Sequence, residues 1–244
     1  MAIILSLIIM LCASEFEEIS ARLCLDSGMA LLEQGLLEQA EREFNRALEF
    51  DGSCPEAILG LGMVQRARES WPGAVESFRQ FIALAPDDHR GFLQLSGLYL
   101  ETGKADSAVL MADSAFSRLP TDPGIWLQCG RTRHAADDLW GAESWYSRVL
   151  QENGEGSRES ACLLAEVYRR TDRSQAAEQL LLPYADAGYS PAWWGLARVY
   201  LQWNDYLRAG QAMDMYLYLS PEGFYADSAF LVLEELGESG NYIR

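Results

Sequence analysis

The 34-residue period of this chain is clearest in residues 55–88, which read PEAILGLGMVQRARESWPGAVESFRQFIALAPDD, and in residues 89–122, which read HRGFLQLSGLYLETGKADSAVLMADSAFSRLP followed by TD. Two series of small residues share this period. The first is alanine throughout: Ala40, Ala74, Ala108, Ala142, Ala177 and Ala209. The second stands twelve residues earlier at Gly28, Gly62, Ser96, Gly130, Ala165 and Ala197. A period of this length predicts a solenoid of helix–turn–helix units.

Larger residues occupy the positions around the two series. They comprise Cys24, Ile58, Phe92, Trp126, Ala161 and Trp193 four residues before the second series, Leu31, Gln65, Tyr99, Arg133, Tyr168 and Tyr200 three residues after it, and Phe44, Phe78, Ala112, Tyr146, Leu181 and Met213 four residues after the alanines. From about Ala21 to Pro221 this pattern resembles the tetratricopeptide repeat family. The resemblance implies an all-α, right-handed superhelical solenoid whose first helices line a concave groove.

The small residues also have a direct physical reading. A small side chain at a helix crossing lets two backbones approach closely, which a bulky one would prevent. Turns between the two helices of each unit are predicted at Gly35, Glu69, Gly103, Asp137, Asp172 and Asn204, five of which are turn-forming or helix-stopping residue types.

The domain organisation follows from the period. We expect an apolar N-terminal segment over 1–14 and repeats over 21–54, 55–88, 89–122, 123–156, 158–189 and 190–221. A capping helix over 222–237 should bury Ala226, Ala229, Phe230, Leu233 and Leu236 and stop at Gly237, before a tail over 238–244.

The charge composition of the chain limits the classes of partner that we expect. The chain of 244 residues has 36 acidic against 19 basic residues and a net charge of −17. Nucleic acid and anionic membranes demand a basic footprint, so neither is expected as the main partner. Most of the acidity serves the solubility of a long exposed surface.

The N-terminus suggests export. Residues 2–13 carry no charge and are almost wholly apolar, too short to span a bilayer in a helix but suited to a signal peptide cleaved near Ala13. No Lys or Arg precedes the run. Three alternatives stay open: an apolar helix packed on the first repeat of a cytoplasmic protein, a lipid anchor at Cys12, and a wrongly assigned start.

Chemistry-bearing motifs are scarce. The chain has two histidines and no C-x-x-C, H-E-x-x-H, G-x-S-x-G or complete P-loop motif, so we expect neither an enzyme nor a cofactor or metal. The cysteines read as buried thiols, with a bridge between Cys24 and Cys54 feasible if their Cα atoms approach within about 7 Å.

The resemblance places a binding groove on the first helices. Its predicted peptide-binding residues are Leu25, Met29, Leu59, Met63, Arg66, Arg90, Leu93, Leu127, Arg131, Arg169, Trp194 and Arg198. Arg22 and Arg170 also fall on predicted groove positions, which gives seven arginines. The predicted groove acids are five: Asp26, Glu33, Glu101, Glu159 and Glu166. Apolar anchors flanked by arginines suit a peptide with carboxylates. The alternative is that the leucines pack between repeats and the arginines pair with the groove acids.

These features predict a non-catalytic scaffold, exported or in the cell envelope, that binds a protein segment with acidic groups. Residues 184–225 hold eleven aromatic residues, among them Trp194, Trp203 and Tyr206. Such side chains pack cores and also dominate interfaces. The alternatives are therefore a self-assembly module that uses this aromatic C-terminal end to form a homo-oligomer, and an accessory domain of an enzyme complex.

Overall fold

The computed structural model describes residues 2–152, 154 and 156–242, with side chains described from Glu15 onward. This part of the chain forms thirteen helices and no strand. They are α1 (Ala2–Glu33), α2 (Leu37–Phe50), α3 (Pro55–Ala67), α4 (Trp71–Leu84), α5 (His89–Glu101), α6 (Ala105–Arg118), α7 (Pro123–Ala135), α8 (Leu139–Glu152), α9 (Ser157–Arg170), α10 (Ser174–Asp186), α11 (Ser190–Gln202), α12 (Tyr206–Leu219) and α13 (Ala226–Glu238). The predicted all-α class is confirmed.

The chain divides into two compact units, Met1–Pro120 and Thr121–Arg244. In unit 1, α1 to α6 form three helix pairs, and α1, α3 and α5 also touch in succession. In unit 2, α7 to α12 form three more pairs, α7, α9 and α11 touch in succession, and α13 packs on α12. Each unit is therefore a stack of helix pairs with the first helices side by side.

Both series of small residues lie inside the helix pairs. All six alanines of the first series have no exposed surface, and Ser96, Ala165 and Ala197 of the second series are also buried. The Ser96 hydroxyl donates a hydrogen bond of 3.1 Å to the backbone carbonyl of Ala108, so it joins the two series within one pair. The reading of these positions as close helix crossings is confirmed.

Aromatic rings explain why glycine recurs in the second series. The fully buried Phe44 ring lies against Gly28 in its own repeat and against Gly60 in the next one. A Cβ atom on Gly28 would come within 2.7 Å of that ring, and one on Gly62 within 2.5 Å of the Phe78 ring. The absent side chains are therefore what admits each ring between two helices.

The six predicted turns all adopt the left-handed conformation. Gly35 and Gly103 have φ of +73° and +70°, while Glu69, Asp137, Asp172 and Asn204 have φ between +56° and +63°. Backbone N–H groups after the turn reach back to carbonyls of the first helix, as from Ser70 to Gln65 at 2.8 Å. These bonds close the helix end and set the direction of the second helix.

The N-terminal segment is helical, and the C-terminal end differs from expectation in two respects. Helix α1 begins at Ala2, so residues 2–14 continue the first helix of the first repeat. Helix α13 runs past Gly237 and is closed by Gly240, with φ of +71° and an Asn241 N–H bond to the Leu236 carbonyl. Phe230, expected in the core, is 49% exposed because no described helix follows α13 to cover it.

The cysteines are thiols in the described structure. Cys24, Cys54 and Cys129 are buried and Cys162 is half-buried, and all four are free. Burial raises the pKa of Cys24 and Cys54 and raises that of Cys162 to about 12. The Cys24–Cys54 bridge is therefore not formed, and these side chains act as small apolar groups.

The alanine series can be tested at Ala108. Replacing Ala108 with Leu should lower the free energy of unfolding by roughly 1–3 kcal/mol, because a larger side chain forces α5 and α6 apart. The matched control is Ala135→Leu, at an exposed alanine of α7. Urea denaturation of both variants checks this; equal stabilities would contradict the assigned crossing.

The turns allow a prediction of opposite sign. Glu69→Gly should stabilise the protein by about 1 kcal/mol, because a left-handed residue with a Cβ costs roughly that much and glycine avoids it. The same change at Glu76, an exposed position inside α4, should destabilise by about 0.5–1 kcal/mol. Thermal and urea unfolding of the two variants should give shifts in opposite directions.

Candidate functional site

Six of the predicted groove residues meet in unit 1. Leu25, Met29, Leu59, Met63, Arg90 and Leu93 line one cavity of about 460 Å³, together with Arg22, Asp26, Glu56, Gly60 and Gln94. Each first helix, α1, α3 and α5, contributes its side chains at spacings of three and four residues, which keeps them on one face. The floor is thus apolar and the rim is polar, as in a typical site for an apolar group with a few orienting polar contacts.

The floor side chains are only partly covered by the repeats. Leu59 is buried, with 7% of its surface exposed, whereas Met29 is 39% exposed. Leu25 and Leu93 lie between these extremes. Part of the leucine line therefore packs between repeats, and the remainder presents apolar surface to the cavity.

Two of the predicted groove arginines in unit 1, Arg66 and Arg90, are already paired. Arg66 binds Glu101 of the next repeat, with Nε to Oε2 at 3.0 Å, and also donates to Gln94 at 2.8 Å. Arg90 binds Asp88 at 2.6 Å and Glu56 of the preceding repeat at 3.2 Å. Glu56 is absent from the groove acids predicted above, so the expected surplus of arginine was overstated. Arg22 lines the cavity and forms no ion pair with any described residue.

The groove positions of unit 2 are organised around acids as well. Arg131 binds Glu159 of the next repeat. Arg169 and Arg198 both bind Glu166, at 2.7 Å and 3.0 Å. Leu127 is buried, with 8% of its surface exposed. In both units the arrangement follows the alternative in which the arginines pair with groove acids.

Glu166 is the centre of the unit 2 arrangement. Burial of its carboxyl group opposes ionisation, but the hydrogen bond from Arg169 and the charge of Arg198 outweigh it and hold the pKa below its ordinary value. One carboxylate thus neutralises arginines from two successive first helices. Nearby His134 has a lowered pKa, chiefly because burial disfavours its charged form.

Trp194 is engaged by its own chain. It lines a smaller cavity of about 190 Å³ with Arg169, Arg198 and Tyr225, whose ring stacks on it at 4.9 Å and 8°. The Tyr225 N–H donates to the Tyr216 hydroxyl at 2.9 Å, which holds the stack in place. The connection into α13 thus covers one face of the Trp194 ring, which is half-buried, and its role in peptide binding stays a prediction.

Much of the C-terminal aromatic cluster is internal, but some of it is not. Phe224 is 93% exposed and lies edge-on to Tyr225 at 4.9 Å, and Tyr218 is 81% exposed. After α13, Tyr242 packs on α12: its hydroxyl donates a hydrogen bond of 2.7 Å to Asp214, and its ring covers Gly210. Register alone could not show Tyr225 or Tyr242, because both follow the last full repeat. Among the described residues, no group of His, Cys, Asp and Glu could hold a metal ion.

A family model described as tetratricopeptide repeat matches residues 25–89. This range includes Ala40 and Ala74, the first two alanines of the first series, and most of the residues that line the unit 1 cavity.

The chain contains tetratricopeptide repeats. One curated relative, cellulose synthase 2 operon protein C of Komagataeibacter xylinus, is 40% identical over 76 residues. The match covers 31% of this chain and 6% of that protein, so the chain spans a small fraction of its relative.

Solved tetratricopeptide structures share the fold over most of the chain. PilF of Pseudomonas aeruginosa is 18% identical, with a TM-score of 0.73 and coverage of 91% of this chain and 99% of that one. PilW, a type IV pilus biogenesis factor, is 15% identical, with a TM-score of 0.75 and coverage of 86% and 98%. YrrB, described as having an unusual peptide-binding site, is 17% identical, with a TM-score of 0.52 and coverage of 85% and 90%. At these identities the likeness shows the fold.

The linkage at Glu166 gives a pH-dependent prediction. Glu166→Gln should destabilise the protein at neutral pH by about 1–2 kcal/mol, because charge-assisted hydrogen bonds are lost at a half-buried site. The pKa of Glu166 is lower in the folded protein than in the unfolded chain. Its carboxylate therefore stabilises the fold at pH values above the pKa of the unfolded chain, and this stabilisation is lost as the pH falls through the pKa of the folded protein. The difference between wild type and variant should therefore shrink on acidification, as urea titrations at several pH values would show. Glu152→Gln, at an exposed position, serves as the control. A difference in unfolding free energy between wild type and Glu166→Gln that does not change with pH would contradict the assigned role of the Glu166 carboxylate.

Proposed function

We propose that the protein is a non-catalytic scaffold that holds an apolar segment of a partner protein in the unit 1 cavity. The observation that carries this proposal is the cavity itself, with its floor of leucine and methionine and a volume of about 460 Å³. That volume accepts one or two large apolar side chains. Methionine suits such a site because its flexible thioether adapts to differently shaped ligands.

Charge plays a secondary part in the proposed binding. Arg66 and Arg90 are matched by acids of neighbouring repeats, so an acidic ligand would have to displace Glu101 or Glu56. Displacement exchanges one ion pair for another and yields little free energy at an exposed site. Acidic groups on the partner contribute chiefly through Arg22, and apolar contact supplies most of the affinity.

We further propose an association with the cell envelope. One structural neighbour, PilW, is described as a type IV pilus biogenesis factor, and a curated relative is named as a cellulose synthase operon protein. The sequence adds the apolar stretch 2–13. Among the described residues, no helix is long and apolar enough to cross a membrane.

A second candidate function is self-assembly through the aromatic C-terminal end. The specific observation in its favour is Phe224, a large ring that is almost entirely exposed. Isolated exposed apolar residues are common on monomers, so this candidate ranks below the cavity.

The cavity proposal is tested with a library of peptides displayed on phage and selected on the full chain. Recovered peptides should share large apolar residues, and Met63→Asp should weaken their binding at least about tenfold, since a charge in the apolar floor is desolvated by the ligand. Raising NaCl from about 50 to about 500 mM should change the dissociation constant less than about threefold. Isothermal titration calorimetry measures both effects.

The matched control is Leu110→Asp, which puts the same charge on an exposed face of α6 outside the cavity and should leave peptide affinity unchanged. Strong salt dependence, with loss of binding on Arg66→Gln, would favour charge recognition over apolar contact. Peptides that bind Met63→Asp as well as wild type would place the site elsewhere.

A further inference from the structure

Helix α1 has an apolar face that nothing in the described structure covers. It is 32 residues long, about 48 Å at 1.5 Å per residue, whereas its partner α2 has 14 residues and spans about 21 Å. The amino-terminal half of α1 therefore extends beyond the helix against which it packs. Phe16, Ile19 and Leu23 are 65%, 60% and 64% exposed.

These three side chains form one stripe. Their spacings of three and four residues place them on the same helix face. The buried positions Ala21 and Cys24 lie on a different face, toward α2. A helix face of this kind, on a projecting helix, is the pattern that a second helix covers in a two-helix interface.

Charged residues beside the stripe have a self-complementary order. Glu15 and Glu18 precede Arg22 on its groove side, and none of the three forms an ion pair with a described residue. In a parallel pair of identical helices, Glu15 would lie opposite Glu15 and Arg22 opposite Arg22, so the acid of one helix could not pair with the base of the other. In an antiparallel pair centred near Ile19, Glu15 of each helix lies level with Arg22 or Leu23 of the other.

We propose that α1 pairs with α1 of a second copy of this chain, antiparallel about a two-fold axis near Ile19. The stripe of Phe16, Ile19 and Leu23 forms the shared apolar contact, and two ion pairs, each from Glu15 to Arg22 of the other copy, fix the direction. The interface is isologous, so it closes as a dimer and does not extend into a filament. With three large apolar side chains per copy, the area falls below the ~800 Å² per partner of a stable interface, so the dimer is weak, with micromolar affinity.

Sedimentation velocity of the full chain from about 1 to about 200 μM tests the dimer. We expect a monomer–dimer transition that Leu23→Glu abolishes. Glu15→Arg alone and Arg22→Glu alone should each weaken association at least about tenfold, because each places like charges opposite one another. A mixture of these two variants should associate as a heterodimer within about threefold of wild type, since both cross pairs are then restored. Leu110→Asp, on the exposed face of α6, is the control and should associate as wild type does.

Three outcomes would overturn the proposal. A wild type that stays monomeric to about 200 μM excludes the dimer. Association that ignores both charge changes indicates contact through the apolar residues 2–13 or the C-terminal aromatics instead. A monomer that binds phosphatidylcholine vesicles, and loses this binding on Leu23→Glu, assigns the stripe to a lipid surface. Arg22 also lines the peptide cavity, whereas Glu15 and Leu23 do not. Loss of association in Glu15→Arg and Leu23→Glu therefore tests the dimer separately from whatever that cavity binds.

Discussion

The close contact between a ring on one helix and a glycine on another sets the packing of three of the six helix pairs, two of them in unit 1. Phe44, Phe78 and Tyr146 are fully buried, and each lies against the glycine of the second series in its own helix pair. The ring supplies a large apolar area, while the missing Cβ lets the helices approach. The side-by-side first helices that frame the unit 1 cavity follow from this packing.

Arginine has a structural role in both units. Besides the groove pairs, Arg173 binds Glu143 at 2.6 Å and Arg208 binds Glu178 at 3.1 Å, each across neighbouring repeats, and both guanidinium groups lie over tyrosine rings. In unit 1, Arg68 binds Glu41 of the preceding repeat at 2.7 Å. In a strongly acidic chain, the scarce cations are thus used to join repeats, which leaves few of them for a ligand.

This use of charge explains what could and could not be predicted. The period located the six alanines of the first series, all of them buried, and the six left-handed turns between the two helices of each pair, because those positions are fixed by contacts within one repeat. The pairing of Arg90 with Glu56 was within reach of the same period, because the two residues are 34 apart and hold the same position in successive repeats. It was not predicted because Glu56 is missing from the groove acids named from the sequence. Tyr225 escaped for a different reason: it belongs to the connection after the last repeat, where the period no longer applies.

Packing within the repeats also determines which groove positions have surface free to bind a ligand. The positions of the two small-residue series are filled by the fold and have little freedom to serve a ligand. In unit 1 the floor residues Leu25, Met29 and Leu93 keep surface free because α1, α3 and α5 leave a cavity between them. In unit 2 the equivalent surface at Trp194 is covered by Tyr225. The difference between the two sites therefore comes from the segment that closes the array and not from the repeat itself, because the stacked Tyr225 ring removes one face of Trp194 from the smaller cavity that both residues line.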